Sequence, residues 1–144
     1  NWLTMHHYNK TENNALDCIQ SLKKQGYRVI ATTPHEKNSM IHQVDVSKGK
    51  IALFFGTEQE GISDDVKNHA DELVRIPMYG FTESFNISVS AAICLYQLTT
   101  QLRSSNIPWQ LSDEELLDVR LDWVRNTIHR VDLIEEEFQK RRGM

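Results

Sequence analysis

Cysteine is scarce in this 144-residue sequence: Cys18 and Cys94 lie far apart, and no CxxC pair occurs. A disulfide framework and a cysteine zinc site are excluded, and a reducing, cytoplasmic setting is expected. Positive charge is not in excess either. Sixteen Lys and Arg against 20 Asp and Glu leave a formal charge of −4, so composition alone does not announce a nucleic-acid binder. No basic-then-apolar leader opens the sequence, and no secretory signal is expected. The longest uncharged stretch, Ser84 to Leu102, is interrupted by Asn86, Ser88, Ser90, Gln97, Thr99, Thr100 and Gln101. A spanning helix needs about 20 predominantly apolar residues, so this stretch predicts a buried helix with a polar beginning and no membrane span. The six histidines, His6, His7, His35, His42, His69 and His129, form no HExxH and no spacing that suits a metal. GxSxG and GxGxxG are absent, which removes support for acyl transfer and for dinucleotide binding. Gly56 and Gly61 frame a tight turn, but Ile62 stands where a phosphate loop needs lysine, so an ATPase is not expected.

What is present is an alternation of helices and short apolar runs. Lys10 to Gln25 predicts a helix, with Ala15, Leu16, Ile19 and Leu22 on one face and Gly26 as its stop. Tyr27-Arg28-Val29-Ile30-Ala31 predicts a strand that Thr32-Thr33-Pro34 ends. His35 to Lys50 is polar and aperiodic, a loop with little regular structure. The continuous apolar run Ile51 to Phe55 predicts a central strand covered on both faces. A short helix around Ser63–His69, a strand at Leu73–Ile76, a loop through Gly80 and the long uncharged helix follow. This order predicts an α/β fold with a parallel sheet.

The tail differs. Asn106-Ile107-Pro108-Trp109 is a breaker, and Ser112-Asp113-Glu114-Glu115 is a capping box. Leu117, Leu121, Val124, Ile128 and Val131 then follow at 4, 3, 4, 3 spacing, and the stripe continues through Ile134 and Phe138. Glu136–Lys140 and Glu137–Arg141 can pair at i,i+4. One long C-terminal helix is expected, lying on its own domain or serving dimerisation.

Two constellations bear on function. Gly56-Thr57-Glu58-Gln59-Glu60-Gly61 follows a buried strand at the carboxyl edge of the sheet, where open α/β folds bind ligands. As a bare pattern it is equally a simple turn. Ser84, Asn86, Ser88 and Ser90 alternate with Phe85, Ile87 and Val89 at the start of a buried helix. They either cap the helix and bond back to its carbonyls, or line a polar ligand pocket at its amino end.

Leu53-Phe54-Phe55-Gly56-Thr57-Glu58-Gln59-Glu60-Gly61 resembles the second motif of the SpoU/TrmH family of RNA ribose 2′-O-methyltransferases. Fifteen residues after Gly61, the run Ile76-Pro77-Met78-Tyr79-Gly80-Phe81-Thr82-Glu83-Ser84-Phe85-Asn86-Ile87-Ser88-Val89-Ser90-Ala91-Ala92 resembles its third. The likeness covers roughly Ala15 to Leu102. The family's first motif, which carries an Asn and an Arg, is not found, and Asn1 to Tyr8 resembles material that follows it.

The resemblance implies a SPOUT domain over residues 1–102, its amino-terminal part missing, and a helical extension over 103–144. It implies a carboxyl-terminal trefoil knot within Ile51–Leu102, an exception to the rule against threading. It implies S-adenosylmethionine as cofactor, bent in the knot and held by main-chain groups at Thr32, Gly56, Ile76 and Phe85. Glu58, Ser84 and Asn86 match positions that shape the site and support the catalytic Arg of the missing motif. It implies no metal, and a homodimer formed through the knot region, for which Ile87, Ala91, Leu95, Leu98 and Leu102 offer an apolar stripe.

The substrate implied is RNA. Both the transfer-RNA and ribosomal-RNA branches carry these motifs. The tail, with Trp109, Leu111 to Glu115 and Asp122-Trp123-Val124-Arg125, resembles the extension of the transfer-RNA enzymes that modify a D-loop guanosine. Arg120, Arg125 and Arg130 either face phosphates there or solvate the outer helix face. Three readings stay open: a transfer-RNA enzyme, a ribosomal-RNA enzyme, and a catalytically incomplete module that binds cofactor or RNA. With the arginine motif absent, Asn1–Met144 alone is expected to transfer methyl groups poorly.

Overall fold

The central strand, β1 (Tyr27–Thr32), puts Val29, Ile30 and Ala31 wholly out of solvent. Side chains alternate across a strand, so these three residues seed two cores on opposite faces of one sheet. Ile30 packs with Ile41, Val44, Val74, Cys94 and Leu98. Val29 and Ala31 pack with Ile19, Ile62 and Val66. This computed structural model describes residues 3–34, 39–82 and 84–143.

Around β1 stand β2 (Ser39–Met40), β3 (Lys50–Phe54) and β4 (Glu72–Arg75), in the order β2-β4-β1-β3. Every pairing is parallel: Tyr27 opposes Lys50, Ile30 opposes Glu72 and Ser39 opposes Val74. Helices α1 (Asn14–Lys24) and α2 (Asp64–His69) supply Ile19 and Val66 to one face. Helix α3 (Ile87–Arg103) supplies Cys94 and Leu98 to the other. The expected parallel α/β domain is therefore present.

Its details depart from expectation in four places. The helix expected from Lys10 begins at Asn14, because Thr11 already satisfies local partners: its amide donates to Asn14 Oδ1 at 3.1 Å and its hydroxyl to Asp17 Oδ2 at 2.7 Å. Of the loop expected over His35–Lys50, residues 35–38 lie outside the described residues, and the remainder is ordered. It forms β2 and two 3₁₀ turns, Ile41–Gln43 and Val46–Lys48, and buries Ile41 and Val44. Single turns bury isolated residues, so no period betrays them. The strand expected at the centre, β3, pairs with β1 alone among the described residues and is only half-buried. Helix α3 buries just Cys94 and Leu98; Leu95 and Tyr96 are exposed, so it is a half-covered helix.

Residues Tyr8–Pro108 form one compact unit; residues 3–7 belong with 109–143 to a second. In that second unit the capping box is present: Ser112 Oγ accepts from the Glu115 amide at 3.2 Å, and Glu115 Oε2 accepts from the Ser112 amide at 2.9 Å. The single long helix is not. α4 (Asp113–Thr127) stops, Arg130 takes φ 59°, and α5 (Val131–Arg142) restarts. The Thr127 hydroxyl donates to the Trp123 carbonyl at 2.8 Å, and β-branched Ile128 is extended, which suits a helix end. Arg125 bridges the break to Glu135 at 2.8 Å, while Lys140–Glu136 and Arg141–Glu137 pair as expected.

Asp71 offers a direct test of the sheet. It enters β4 by exchanging bonds with Val29: its amide donates to the Val29 carbonyl and its Oδ2 accepts from the Val29 amide, both at 2.8 Å. Partial burial raises its carboxyl's pKa, but the hydrogen bonds from Lys23 and Val29 and the nearby charges outweigh it and hold the group below its ordinary value. The lowered folded value means that this stabilisation is full above the ordinary aspartate range and is lost as pH falls through the lowered one. Asp71→Ala strands the Val29 amide and is expected to cost about 1–3 kcal/mol at neutral pH. The exposed Lys23 pair contributes little of this. Urea melts at pH 7 and at pH 3 check it: the difference from the unaltered chain shrinks in acid, and an equal difference at both values would refute the linkage.

Candidate functional site

Because all strands run parallel, the carboxyl ends of β1, β3 and β4 meet at one edge. Thr32 Oγ1 donates to the Phe54 carbonyl at 3.2 Å and ties the ends of β1 and β3 together. Beyond Phe54 the chain doubles back. Thr57 and Gly61 exchange amide–carbonyl bonds, each 3.0 Å, and the Thr57 hydroxyl accepts from the Glu60 amide at 3.1 Å. Gly61 has φ +69°, a conformation that favours glycine, and Gly56 packs so tightly on it that no Cβ fits. Ile62 then plugs the core and Ser63 caps α2, accepting from the Val66 amide at 3.4 Å.

The loop from β4 to α3 closes the edge from the other side. Asn86 caps α3: its Oδ1 accepts from the Ser88 amide at 2.9 Å and from the Ser88 hydroxyl at 2.6 Å. Its Nδ2 donates across to Glu58 Oε1 at 3.1 Å. One side chain thus caps the helix and joins the two sequence motifs. The capping and the ligand-pocket readings of this segment are not exclusive.

Between these loops lies a cavity of about 340 Å³. Thr32, Gly56, Glu58, Ile76, Ser84 and Phe85 all line it. Asn86 does not line it and reaches it through Glu58. Thr33, Pro34, Gln59, Met78 and Lys67 also line the wall and were not singled out in sequence. Thr33 is 7% exposed and its amide donates to the Val74 carbonyl at 2.9 Å; its place directly after the strand was the available signal. Lys67 gave none, since a lysine on a short polar helix reads as surface. Glu58 and Glu60 set two carboxylates on the wall against Lys67, which is already paired with Asp64 at 3.1 Å, so the lining favours a cation.

Burial disfavours the thiolate at both cysteines. Burial pushes the Cys94 thiol up to about 11 and raises that of Cys18. Among the described residues no helix is long and apolar enough to cross a membrane.

The chain is similar to known proteins in sequence and in fold. A tRNA (guanosine(18)-2'-O)-methyltransferase of Borreliella burgdorferi is 39% identical over 134 residues, covering 93% of this chain and 59% of the relative. The crystal structure of the A. aeolicus TrmH/SpoU tRNA modifying enzyme superposes with TM-score 0.66 at 29% identity, over 79% of this chain and 59% of that one. An AdoMet-bound rRNA methyltransferase from Sinorhizobium meliloti superposes with TM-score 0.54 at 29% identity, over 60% of this chain and 33% of that one. The chain therefore spans little more than half the length of the transfer-RNA relatives it matches. The model of the SpoU rRNA Methylase family matches residues 2–96, a span that includes both loops of the cavity and the Glu58–Asn86 bond between them. This chain belongs to that family.

Proposed function

We propose that this chain forms the methyl-donor site of an S-adenosylmethionine-dependent RNA ribose 2′-O-methyltransferase that acts on a transfer-RNA guanosine in the cytoplasm. The observation that carries the proposal is the single cavity shared by the two motif loops and the end of β1. Its volume of about 340 Å³ falls within the roughly 300–1,000 Å³ of small-molecule sites. Its lining suits the donor. Ile76 and Phe85 give apolar walls for the adenosine, Gly56 lets the chain approach closely, and Thr32 contributes main-chain groups at the strand end. The carboxylates of Glu58 and Glu60 favour a sulfonium cation.

When bound, S-adenosylmethionine supplies an activated methyl group on that sulfonium. The protein's task is then to align the ribose hydroxyl in line and to help remove its proton. Asn86 donates to Glu58 and so orients it, and Ser84 lines the same cavity. Among the described residues that line the cavity, Lys67 is the basic one and no arginine is present. Transfer by Asn1–Met144 alone is therefore expected to be slow even when the donor binds.

A trefoil knot within Ile51–Leu102 is proposed with it, and membership of the family supports this. A homodimer is proposed through α3: of the expected stripe Ile87 and Leu95 are exposed and Ala91 and Leu102 half-buried, whereas Leu98 is buried in the chain's own core, and Val89 and Tyr96 add exposed apolar surface. Transfer RNA is preferred over ribosomal RNA because the 39% identical relative is named for it and matches 93% of the chain, tail included. In the tail, Arg125 is held by Glu135, which leaves Arg120 and Arg130 as the better phosphate ligands.

Titration calorimetry with S-adenosylmethionine and a tritiated-methyl assay on transfer-RNA transcripts test the proposal together. Saturable heat with slow label transfer is expected. A folded sample that gives no heat would refute the cofactor assignment, and label entering ribosomal RNA while transfer RNA stays unmodified would reverse the substrate.

A further inference from the structure

Two aromatic rings in the loop that walls the cavity stand almost wholly in solvent. Tyr79 is 94% exposed and Phe81 fully so, which makes them the most exposed aromatic side chains described. They flank Gly80, whose φ of +110° turns the chain at that point. The segment carrying them joins β4 to α3, and its Ile76, Met78, Ser84 and Phe85 form the cavity wall. Tyr79 is thus the immediate neighbour of a wall residue, and Phe81 lies three positions from another.

We propose that Tyr79 and Phe81 are positioning residues that stack on unpaired RNA bases and so present the neighbouring ribose to the cavity. The proposal rests on the methyltransferase function above and extends it by naming side chains that hold the substrate. RNA is recognised chiefly through unstacked bases, and a planar aromatic ring is a sequence-tolerant platform for them. Two such rings separated by a glycine turn, in an uncharged run from Ile76 to Thr82, fit base faces better than phosphates. Continuity with the cavity favours RNA over a second copy of the chain. A stacked base is joined to its ribose, so holding it at the rim brings a 2′-hydroxyl to the site, while the apolar surface for a second copy is on α3. The chain's formal charge of −4 makes stacking the more necessary, because phosphate attraction alone is weak.

The test uses Asn1–Met144 with a D-loop transfer-RNA hairpin carrying 2-aminopurine in its unpaired loop. The unaltered chain is expected to quench the probe. Tyr79→Ala and Phe81→Ala should each weaken RNA binding about 5- to 100-fold and relieve the quench, whereas Tyr79→Phe keeps both. S-adenosylmethionine affinity and the thermal midpoint should not move, since both side chains lie outside the core. Alanine variants that bind and quench like the unaltered chain would overturn the proposal. Sedimentation showing that either variant converts a dimer to a monomer would also overturn it, by assigning the rings to a second copy. Ring-dependent quenching in a chain that binds no S-adenosylmethionine would uphold the stacking and refute the donor site.

Discussion

Gly56→Ala is expected to destabilise the domain by about 3–5 kcal/mol and to abolish S-adenosylmethionine binding. An added Cβ would lie 2.0 Å from the Gly61 carbonyl carbon, 2.3 Å from its oxygen and 2.3 Å from the Ile62 nitrogen. All three are backbone atoms, so no rotamer change relieves the contact. The turn must open instead, which breaks the reciprocal Thr57–Gly61 bonds and withdraws Ile62 from the core beside Val29 and Val66. The cavity loses its wall in the same step, because Gly56 to Ile62 form one side of it. Thermal melts and donor calorimetry on the same sample read both effects, with a midpoint lowered by roughly 10–20 °C. An unchanged midpoint with unchanged heat would show that the turn accommodates a methyl group, and the proposed role of Gly56 would fall.

The other large effect belongs to Ile30. Truncation to alanine removes three carbons from a site with no solvent exposure, amid Ile41, Val44, Val74, Cys94 and Leu98. Such a change costs about 2–5 kcal/mol, a large part of the 5–15 kcal/mol of a typical domain. Little collapse is available, since β1 is held on one side by β3 and on the other by β4. Ile30→Val should cost about 0.5–1.5 kcal/mol. Urea midpoints of the two variants decide it; equal losses for alanine and valine would mean that the site is not packed as described. Ile30 also stands two residues before Thr32, so the alanine variant should weaken donor binding even where it remains folded.

Local chemistry made much of this molecule legible in advance. Alternating and continuous apolar runs marked β1, β3 and β4, because a strand's side chains are sorted by face. Ser112 and Glu115 announced the start of α4, since capping is settled within one turn of chain. Gly56, Glu58, Ile76, Ser84 and Phe85 are singled out by two short motifs and Thr32 by the wider family resemblance, and all six stand around one cavity. The misplacements share one cause. The apolar run of β3 says that its side chains avoid water, but not whether a second strand lies beside it, and here its outer edge is unpaired among the described residues. The turns that bury Ile41 and Val44 have no period to detect. The apolar stripe from Leu117 to Phe138 runs unbroken through Arg130, because spacing records which residues are apolar and not whether the backbone between them stays helical.

The residues alone thus determined the strands β1, β3 and β4, the helices α2 and α3, and where α4 starts, all being properties of a few neighbouring side chains, while family resemblance singled out the two motifs. Only the tertiary structure decided that β1 is the buried centre and that β3 is an edge among the described residues. It alone set the Asn86–Glu58 bond at 3.1 Å and brought Lys67 and Thr33 to the wall. Those are relations between segments dozens of residues apart, and they exist once the parallel register brings the strand ends to one edge.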